Sequence, residues 1–303
     1  MKILITGGAG FIGSHISKLL LDQGEKVVLY DNLSKSTKQY CDRRAEFIKG
    51  DIRDSKLLKK SLKGINGVIH MAGSTAVDES VKQPLFYLDN NIAGSVTLFE
   101  AMKEAGVKKV VFSSSCTVYG FPDNLPIRED AQIQATSPYG ATKASIESFL
   151  TYYNYLYGFD VIILRYFNPY GIWESHNPET HAIPKFIKAA LSKEPLPLYW
   201  KGQQVRDFIY IEDLAKAHIA PLKLEGFHIF NVGTEKGTKV IDIVNIISDI
   251  LGYKLKIKDL GERSGDIPAN FASSAKLQKA TGWKAKVSLK EGLRRTIEWF
   301  KNN

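Results

Sequence analysis

The sequence predicts an α/β fold, a doubly wound parallel sheet with a smaller α/β substrate-binding lobe beside it. Three observations point there. Short apolar strands alternate with amphipathic helices through the first half, a glycine-rich turn joins the first strand to the first helix, and the alternation loosens beyond Arg165, where prolines gather.

Lys2–Thr6 reads as the first strand, and Phe11–Gln23 carries apolar residues at helical spacing. Lys26–Tyr30, Glu46–Ile48, Gly67–His70 and Lys108–Ser113 continue the strand series, with helical stretches between them, notably near Val81–Ala105. A further helix is expected to begin at Ser137-Pro138, because serine caps a helix well and proline is tolerated in its first turn. It runs to about Tyr157, and Val161–Leu164 follows as another buried strand. Pro169, Pro178, Pro184, Pro195 and Pro197 then break the pattern. The division expected is a nucleotide-binding Rossmann domain over 1–165 and a substrate lobe over 166–303, some of whose segments return to the first domain. The lobe would lie beside the carboxyl ends of the strands.

Composition narrows the class. The chain has 303 residues, 44% hydrophobic and 24% charged, in the range of globular proteins. No apolar run approaches the roughly 20 residues needed to span a bilayer, so no membrane association is expected. Two cysteines, Cys41 and Cys116, give no disulfide framework, and the expected location is cytoplasmic. The net charge of +9 comes from Lys and Arg interspersed with Asp and Glu, without a nucleic-acid-binding motif. It reads as solvated surface, with a share available to attract an anionic small substrate, and not as a nucleic-acid footprint.

The segment Gly7-Gly8-Ala9-Gly10-Phe11-Ile12-Gly13 follows the first strand and opens the first helix. Its glycines at 7, 10 and 13 allow a tight turn and a close backbone approach to a pyrophosphate at the helix N-terminus. Asp31-Asn32 ends the second strand, eighteen residues after Gly13. A carboxylate there accepts hydrogen bonds from an adenosine ribose and repels a 2′-phosphate, which predicts NAD over NADP. Asp51-Ile52 follows the third strand, where a carboxylate can reach the adenine or simply form a turn.

Tyr139 and Lys143 lie four apart on the expected helix and share one face. A tyrosine is a poor base at neutral pH. A lysine ammonium together with a cationic nicotinamide would favour the phenolate, which could then take a hydroxyl proton while hydride leaves for NAD. An exposed helix face can produce the same spacing. The match gains weight from Ser113-Ser114-Ser115-Cys116-Thr117-Val118-Tyr119-Gly120, directly after a strand, where Ser115 can hydrogen-bond the reacting oxygen. For Ser113 and Ser114 the solvated-loop reading is preferred.

Together Gly7, Gly10, Gly13, Asp31, Ser115, Tyr139 and Lys143 resemble the extended short-chain dehydrogenase/reductases over essentially the whole chain. Within them, Asp31-Asn32-Leu33, Ala76–Val81, Asp89-Asn90-Asn91, Ser115–Gly120, Arg165-Tyr166-Phe167-Asn168, Arg206–Tyr210 and Arg263-Ser264-Gly265-Asp266 are similar to the UDP-glucose 4-epimerase family. The resemblance implies that Tyr139 takes the proton of the sugar 4′-hydroxyl while the C4 hydride passes to bound NAD and later returns to the other face. It implies that Met71, Ala72, Gly73, Asn91 and Tyr166 line the NAD pocket. On the UDP-sugar side it implies Arg206, Arg263 and Asn168 at the diphosphate, Tyr199 at the uracil, Asp266 at the ribose, and Ile183 and Asn270 in the substrate pocket. It also implies a homodimer through helices matching Val81–Ala105 and Pro138–Tyr157. Leu98, Phe99, Ile146, Phe149 and Leu150 fit that interface and fit the chain's own core equally well.

The sequence departs from the family in places. Trp200-Lys201-Gly202 stands where relatives often have Gly-x-Gly, and Thr75 where some carry lysine. Asn270 occupies a position where bulky residues are associated with excluding N-acetylated sugars, so room for UDP-GlcNAc or UDP-GalNAc is expected. A 4,6-dehydratase would need carboxylates where Cys116 and Thr117 stand. A keto-sugar epimerase/reductase, an epimerase of UDP-glucuronate or UDP-xylose, and a non-catalytic NAD-binding regulator remain alternatives.

Overall fold

In the computed structural model, which describes residues 1–174, 181–262 and 267–303, the first half builds strand by strand as its periodicity suggests. The strands are β1 (Lys2–Thr6), β2 (Lys26–Asp31), β3 (Glu46–Lys49), β4 (Gly67–His70), β5 (Lys109–Ser115) and β6 (Asp160–Tyr166). Between them run α1 (Phe11–Asp22), α2 (Ser55–Ser61), α3 (Val77–Lys82), α4 (Pro84–Tyr87), α5 (Gly94–Ala105) and α6 (Pro138–Tyr157). Helix α6 begins at its expected cap, where the Ser137 hydroxyl accepts from the Gly140 amide at 3.1 Å.

The second half contributes β7 (Asn168–Tyr170), α7 (Ala182–Leu191), β8 (Leu196–Leu198), β9 (Val205–Arg206), β10 (Phe208–Tyr210), α8 (Ile211–Ile219) and β11 (Phe227–Val232). It ends with β12 (Thr238–Lys239), α9 (Val240–Leu251), β13 (Ile257–Asp259), β14 (Ala269–Asn270), α10 (Ala275–Thr281) and α11 (Leu289–Asn302). The main sheet is seven-stranded and parallel, in the order β11-β6-β5-β4-β1-β2-β3. Its last strand comes from beyond residue 226, so the sheet does not end with the segment 1–165. The remaining strands form small pairings, β10 with β7, β13 with β8, and β9 between β12 and β14.

Strand alternation divides the core between the two faces of the sheet. Ile3, Ile5, Leu29, Ile69, Val111, Ile162 and Leu164 pack toward α1, α7, α8, α9 and α11. Leu4, Val28, Val68, Val110, Phe112, Val161 and Ile163 pack toward α2, α5 and α6. Leu98, Phe99, Ile146 and Leu150 belong to this second cluster and so serve the chain's own core, whereas Phe149 stays exposed.

The stretch 81–105 is not one helix. Pro84 lacks an amide hydrogen and cannot continue α3, so the chain restarts as α4. A π-helical turn over Leu88–Ala93 then precedes α5 and carries Asn91 inward, 1% exposed. Among the described residues, no helix is long and apolar enough to cross a membrane.

Candidate active site

The carboxyl ends of β1, β4 and β5 gather the expected groups. The turn after β1 closes with the Gly7 amide donating to the Tyr30 carbonyl at 2.8 Å and the Gly10 amide to Gly7 at 3.1 Å. Gly7 has φ +68°, and a β-carbon on it would sit 2.8 Å from the Ala72 amide nitrogen. A β-carbon on Gly13 would lie 2.6 Å from the Gly7 carbonyl oxygen. Helix α1 opens at Gly10 with no side-chain cap, so the first-turn amides of Phe11, Ile12 and Gly13 have no side-chain acceptor at that end. A bare, positively polarised helix end behind a turn only glycine can form suits the pyrophosphate of NAD.

Asp31 supports the same fit. One of its carboxylate oxygens accepts from the Ala9 amide at 3.0 Å, the other from the Leu33 amide at 2.8 Å and the Ser36 hydroxyl at 2.9 Å. The anion is therefore held at the loop edge, where an adenosine ribose would lie. Asp51 is engaged differently. Arg53 binds both of its oxygens, and Asn32 donates to one at 3.0 Å. The Arg53 contact holds its carboxyl well below the usual range. Asp51 thus ties Asn32 in place, and Ile52 beside it is buried against Gly94.

A buried polar chain joins this loop to α6. The Thr6 hydroxyl accepts from the Met71 and Ala72 amides at 3.2 and 3.3 Å, which leaves its own hydrogen for His70 Nδ1 at 2.7 Å. His70 Nε2 then donates to Ser95 at 2.7 Å, and Ser95 to the Asn91 carbonyl at 2.5 Å. Burial pushes the His70 pKa down to about 3, so this chain of donors is read with a neutral ring. The Asn91 side chain brackets Ser74 beside Gly73 and donates to Thr142 at 3.2 Å. Thr142 in turn donates to the Tyr139 carbonyl at 2.8 Å.

Tyr139, Lys143 and Ser115 converge as the sequence suggested, with two differences. The Ser115 oxygen accepts from the Thr117 amide at 3.2 Å and the Thr117 hydroxyl at 3.0 Å. Both acceptor positions are occupied, so the Ser115 hydrogen is free to be donated. The Tyr139 hydroxyl lies within its reach. The Lys143 ammonium does not hydrogen-bond Tyr139; it donates to the Ser113 carbonyl at 2.7 Å and sits 5.9 Å from the Tyr139 ring centroid. Burial, reinforced by Tyr166, pushes the Tyr139 phenol far above the ordinary tyrosine range, and Ser115 opposes this. The expected lowering of that pKa is therefore outweighed in the chain by itself, because desolvation disfavours the phenolate more than its neighbours favour it. Burial lowers the Lys143 pKa to about 8, and Glu147 opposes that fall. Tyr166 ends β6, packed near Ser113 and Cys116, with its phenol pushed to about 12 by burial.

The second half reaches the same place. The Cys116 thiol, raised to about 11 by burial, feels Arg206, Asn270 and Asp207, which brings β9 and β14 against the residue next to Ser115. Arg206 and Asn270 are register partners, and Arg206 donates to the Val205 and Ile267 carbonyls. The Asn270 side-chain oxygen is buried with no hydrogen-bond partner among the described residues. Asn168 donates to the Asp207 carbonyl at 2.8 Å. The Asp207 carboxylate, buried, gathers the amides of Thr234, Glu235 and Ala272. Tyr199 lies exposed at the end of β8. The Ile183 side chain is buried and belongs to the main core cluster. Phe167 is likewise buried, in a small cluster with Cys116 and Val118. Trp200 and Lys201 have φ +51° and +50°, the left-handed region that favours glycine. Arg263 and Asp266 lie outside the described residues. Among the described residues, no cluster of His, Cys, Asp or Glu could hold a metal.

Sequence reasoning gave no role to Thr6, His70, Thr142 or Glu147, and saw Thr117 only as a missing carboxylate. Thr6, His70, Thr142 and Glu147 act through hydrogen bonds to residues far off in the chain, which no spacing rule announces, and Thr117 through one to Ser115 two residues before it.

Comparison with known proteins agrees with this geometry. The profile of the NAD dependent epimerase/dehydratase family matches residues 3–233. A UDP-glucose 4-epimerase of Lacticaseibacillus casei is 39% identical, over 94% of this chain and 92% of its own. The UDP-N-acetylglucosamine 4-epimerase of Methanobrevibacter ruminantium, solved with UDP-N-acetylmuramic acid, superposes with TM-score 0.94 at 39% identity, covering 99% of this chain and 98% of its own. The UDP-glucose 4-epimerase of Bifidobacterium longum, solved with NAD+ and UDP, superposes with TM-score 0.94 at 32% identity, covering 100% and 99%.

Proposed function

This chain belongs to the NAD dependent epimerase/dehydratase family, and from that premise we propose that it inverts C4 of a UDP-linked hexose, interconverting UDP-glucose and UDP-galactose. The observation that carries the reading is the Ser115–Tyr139 pair, a serine with both acceptor positions filled beside a buried phenol. When bound, NAD supplies the hydride chemistry, accepting the C4 hydride and returning it to the opposite face of a 4-keto sugar. Tyr139 takes the proton of the 4′-hydroxyl and gives it back, while Ser115 donates a hydrogen bond to the same oxygen. Burial works against the phenolate, and the Lys143 ammonium, 5.9 Å from the ring centroid, offsets part of that cost. Arg206 and Asn168 orient the diphosphate.

Dehydration would require acids after Ser115. Cys116 is a buried, protonated thiol, and Thr117 already spends its hydroxyl hydrogen on Ser115.

The decisive assay incubates the purified protein with UDP-galactose, without added NAD, against Tyr139→Phe. UDP-glucose formation that disappears in the variant is the expected result. No product from the native chain, even after NAD is supplied, overturns the substrate reading.

One observation favours a wider substrate range. Asn270 is compact, and its buried oxygen has no partner among the described residues, so the amide N–H of an N-acetylated sugar would complete it. UDP-GlcNAc and UDP-GalNAc are therefore included as substrates. A homodimer is supported by Leu85 and Tyr155, apolar side chains 79% and 85% exposed on α4 and α6. The free thiols of Cys41 and Cys116 suit the reducing cytoplasm, and galactose metabolism is the corresponding setting.

A further inference from the structure

Tyr139, Lys143 and Glu147 stand four apart on α6 and share its buried face. Two of them carry the chemistry. Glu147 is as deeply buried, and the mechanism above does not use it. Its carboxylate accepts from the Ser114 hydroxyl at 2.5 Å and receives Arg165 as a fork, Nε at 3.0 Å and Nη2 at 2.6 Å. Arg165 turns its remaining nitrogen to the Tyr119 hydroxyl at 2.9 Å and the Glu129 carbonyl at 3.2 Å. Ser114 and Tyr119 flank Ser115 in the chain, so the ion pair is fastened to the segment that carries the catalytic hydroxyl.

A buried ion pair is weak grounds for stability, because desolvation offsets most of the attraction. The surroundings of Lys143 supply another reason for this one. From β5 the ammonium meets the Ser113 carbonyl and, at 4.8 Å, the Phe112 ring. From β4 it faces His70, which is neutral. From β6, Tyr166 reaches Ser113, and Arg165 stands behind Glu147. From its own helix it faces Tyr139 and Glu147. Among these groups Glu147 is the one anion.

We propose that Glu147 is a positioning residue that keeps Lys143 charged, and that Arg165 anchors it there and limits its field. The proposal rests on the reading of Tyr139 and Lys143 as the chemical pair. Neutralising Glu147 removes the attraction and leaves Arg165 a buried, unopposed cation, so the ammonium is disfavoured twice. Neutralising Arg165 leaves Glu147 unopposed and favours the ammonium. The two changes act on Lys143 with opposite sign, whereas damage to packing has no such sign.

The test is a ¹³C NMR titration of the lysine Cε resonances in the full chain, with Lys143 assigned through Lys143→Arg, run beside the pH profile of turnover in the NAD-loaded enzyme. Glu147→Gln is expected to lower the Lys143 midpoint by about one pH unit, leaving roughly tenfold less ammonium at a fixed pH above it. Arg165→Met is expected to raise the midpoint, and the alkaline limb of turnover should follow each shift. Should a single variant fail to fold, Glu147→Gln combined with Arg165→Met leaves no orphaned charge and still lowers the midpoint. Midpoints that move together in the two single variants, or stay put in Glu147→Gln or the double variant, overturn the proposal. The titration needs no turnover, so an inactive native enzyme would count against the substrate reading and leave this result standing.

Discussion

Replacing Thr117 with valine removes one hydroxyl while keeping the shape of the side chain. The change deletes the 3.0 Å hydrogen bond into Ser115 and keeps the 3.2 Å bond from the Thr117 amide. Ser115 then has one open acceptor position, and its hydrogen is no longer confined to the direction of Tyr139. A neutral hydrogen bond of this kind contributes about 0.5–1.5 kcal/mol, which corresponds to a loss of about 2- to 13-fold in kcat. KM for the UDP-sugar should stay near the native value, because no substrate contact is lost. Ser115→Ala, by comparison, deletes the donor itself and should cost roughly 10²–10³-fold. If Thr117 acts only through Ser115, the double variant should be no slower than Ser115→Ala, a coupling that a double-mutant cycle measures directly. The assay is steady-state conversion of UDP-galactose by the two single variants and the double. Losses that simply multiply, or a Thr117→Val loss above a hundredfold, would refute the hydrogen-bond direction assigned to Ser115.

Four further outcomes follow. Gly13→Ala forces a β-carbon to within 2.6 Å of the Gly7 carbonyl, so NAD affinity measured by calorimetry should weaken at least about tenfold; native affinity would discredit the loop as the pyrophosphate cradle. Burial lowers the Lys143 pKa to about 8, below the ordinary lysine value of 10.5, so the unfolded chain binds more protons between those pH values. The contribution of this group to stability therefore improves as pH rises through that window while turnover falls; thermal melts in which Lys143→Met lacks this component would bear it out. Asn270→Tyr should reduce activity on N-acetylated UDP-sugars relative to the plain ones, and an unchanged ratio would remove the role given to Asn270. Leu85→Asp with Tyr155→Asp should yield a monomer by light scattering, whereas an unaltered dimer would move the interface elsewhere.

Much of the scaffold was legible because it is local. Short apolar runs located β1 to β6 to within two residues at either end, and the serine–proline signature located the start of α6. The break at Pro84 and the π turn after it were hidden by apolar residues that kept helical spacing across both. Strand β11 was not foreseen, and its pairing with β6 spans more than sixty residues. In the site, motif spacing brought out Ser115, Tyr139 and Lys143. Spacing does not record depth, however, and in the chain by itself burial raises the Tyr139 pKa. Nor could it show that Lys143 aims at a backbone carbonyl, or that Glu147 and Arg165 meet.

The late arrival of β11 also bears on the order of synthesis. As the chain leaves the ribosome, β6, with its Val161-Ile162-Ile163-Leu164 run, is the rim of an unfinished sheet until Val232 has emerged. Over those sixty-odd residues an apolar strand presents unpaired amides and carbonyls, the kind of edge on which nascent chains associate. Strands β7 to β10 are made during the same interval, so vectorial synthesis exposes this rim while Asn168 and Arg206 are still being added.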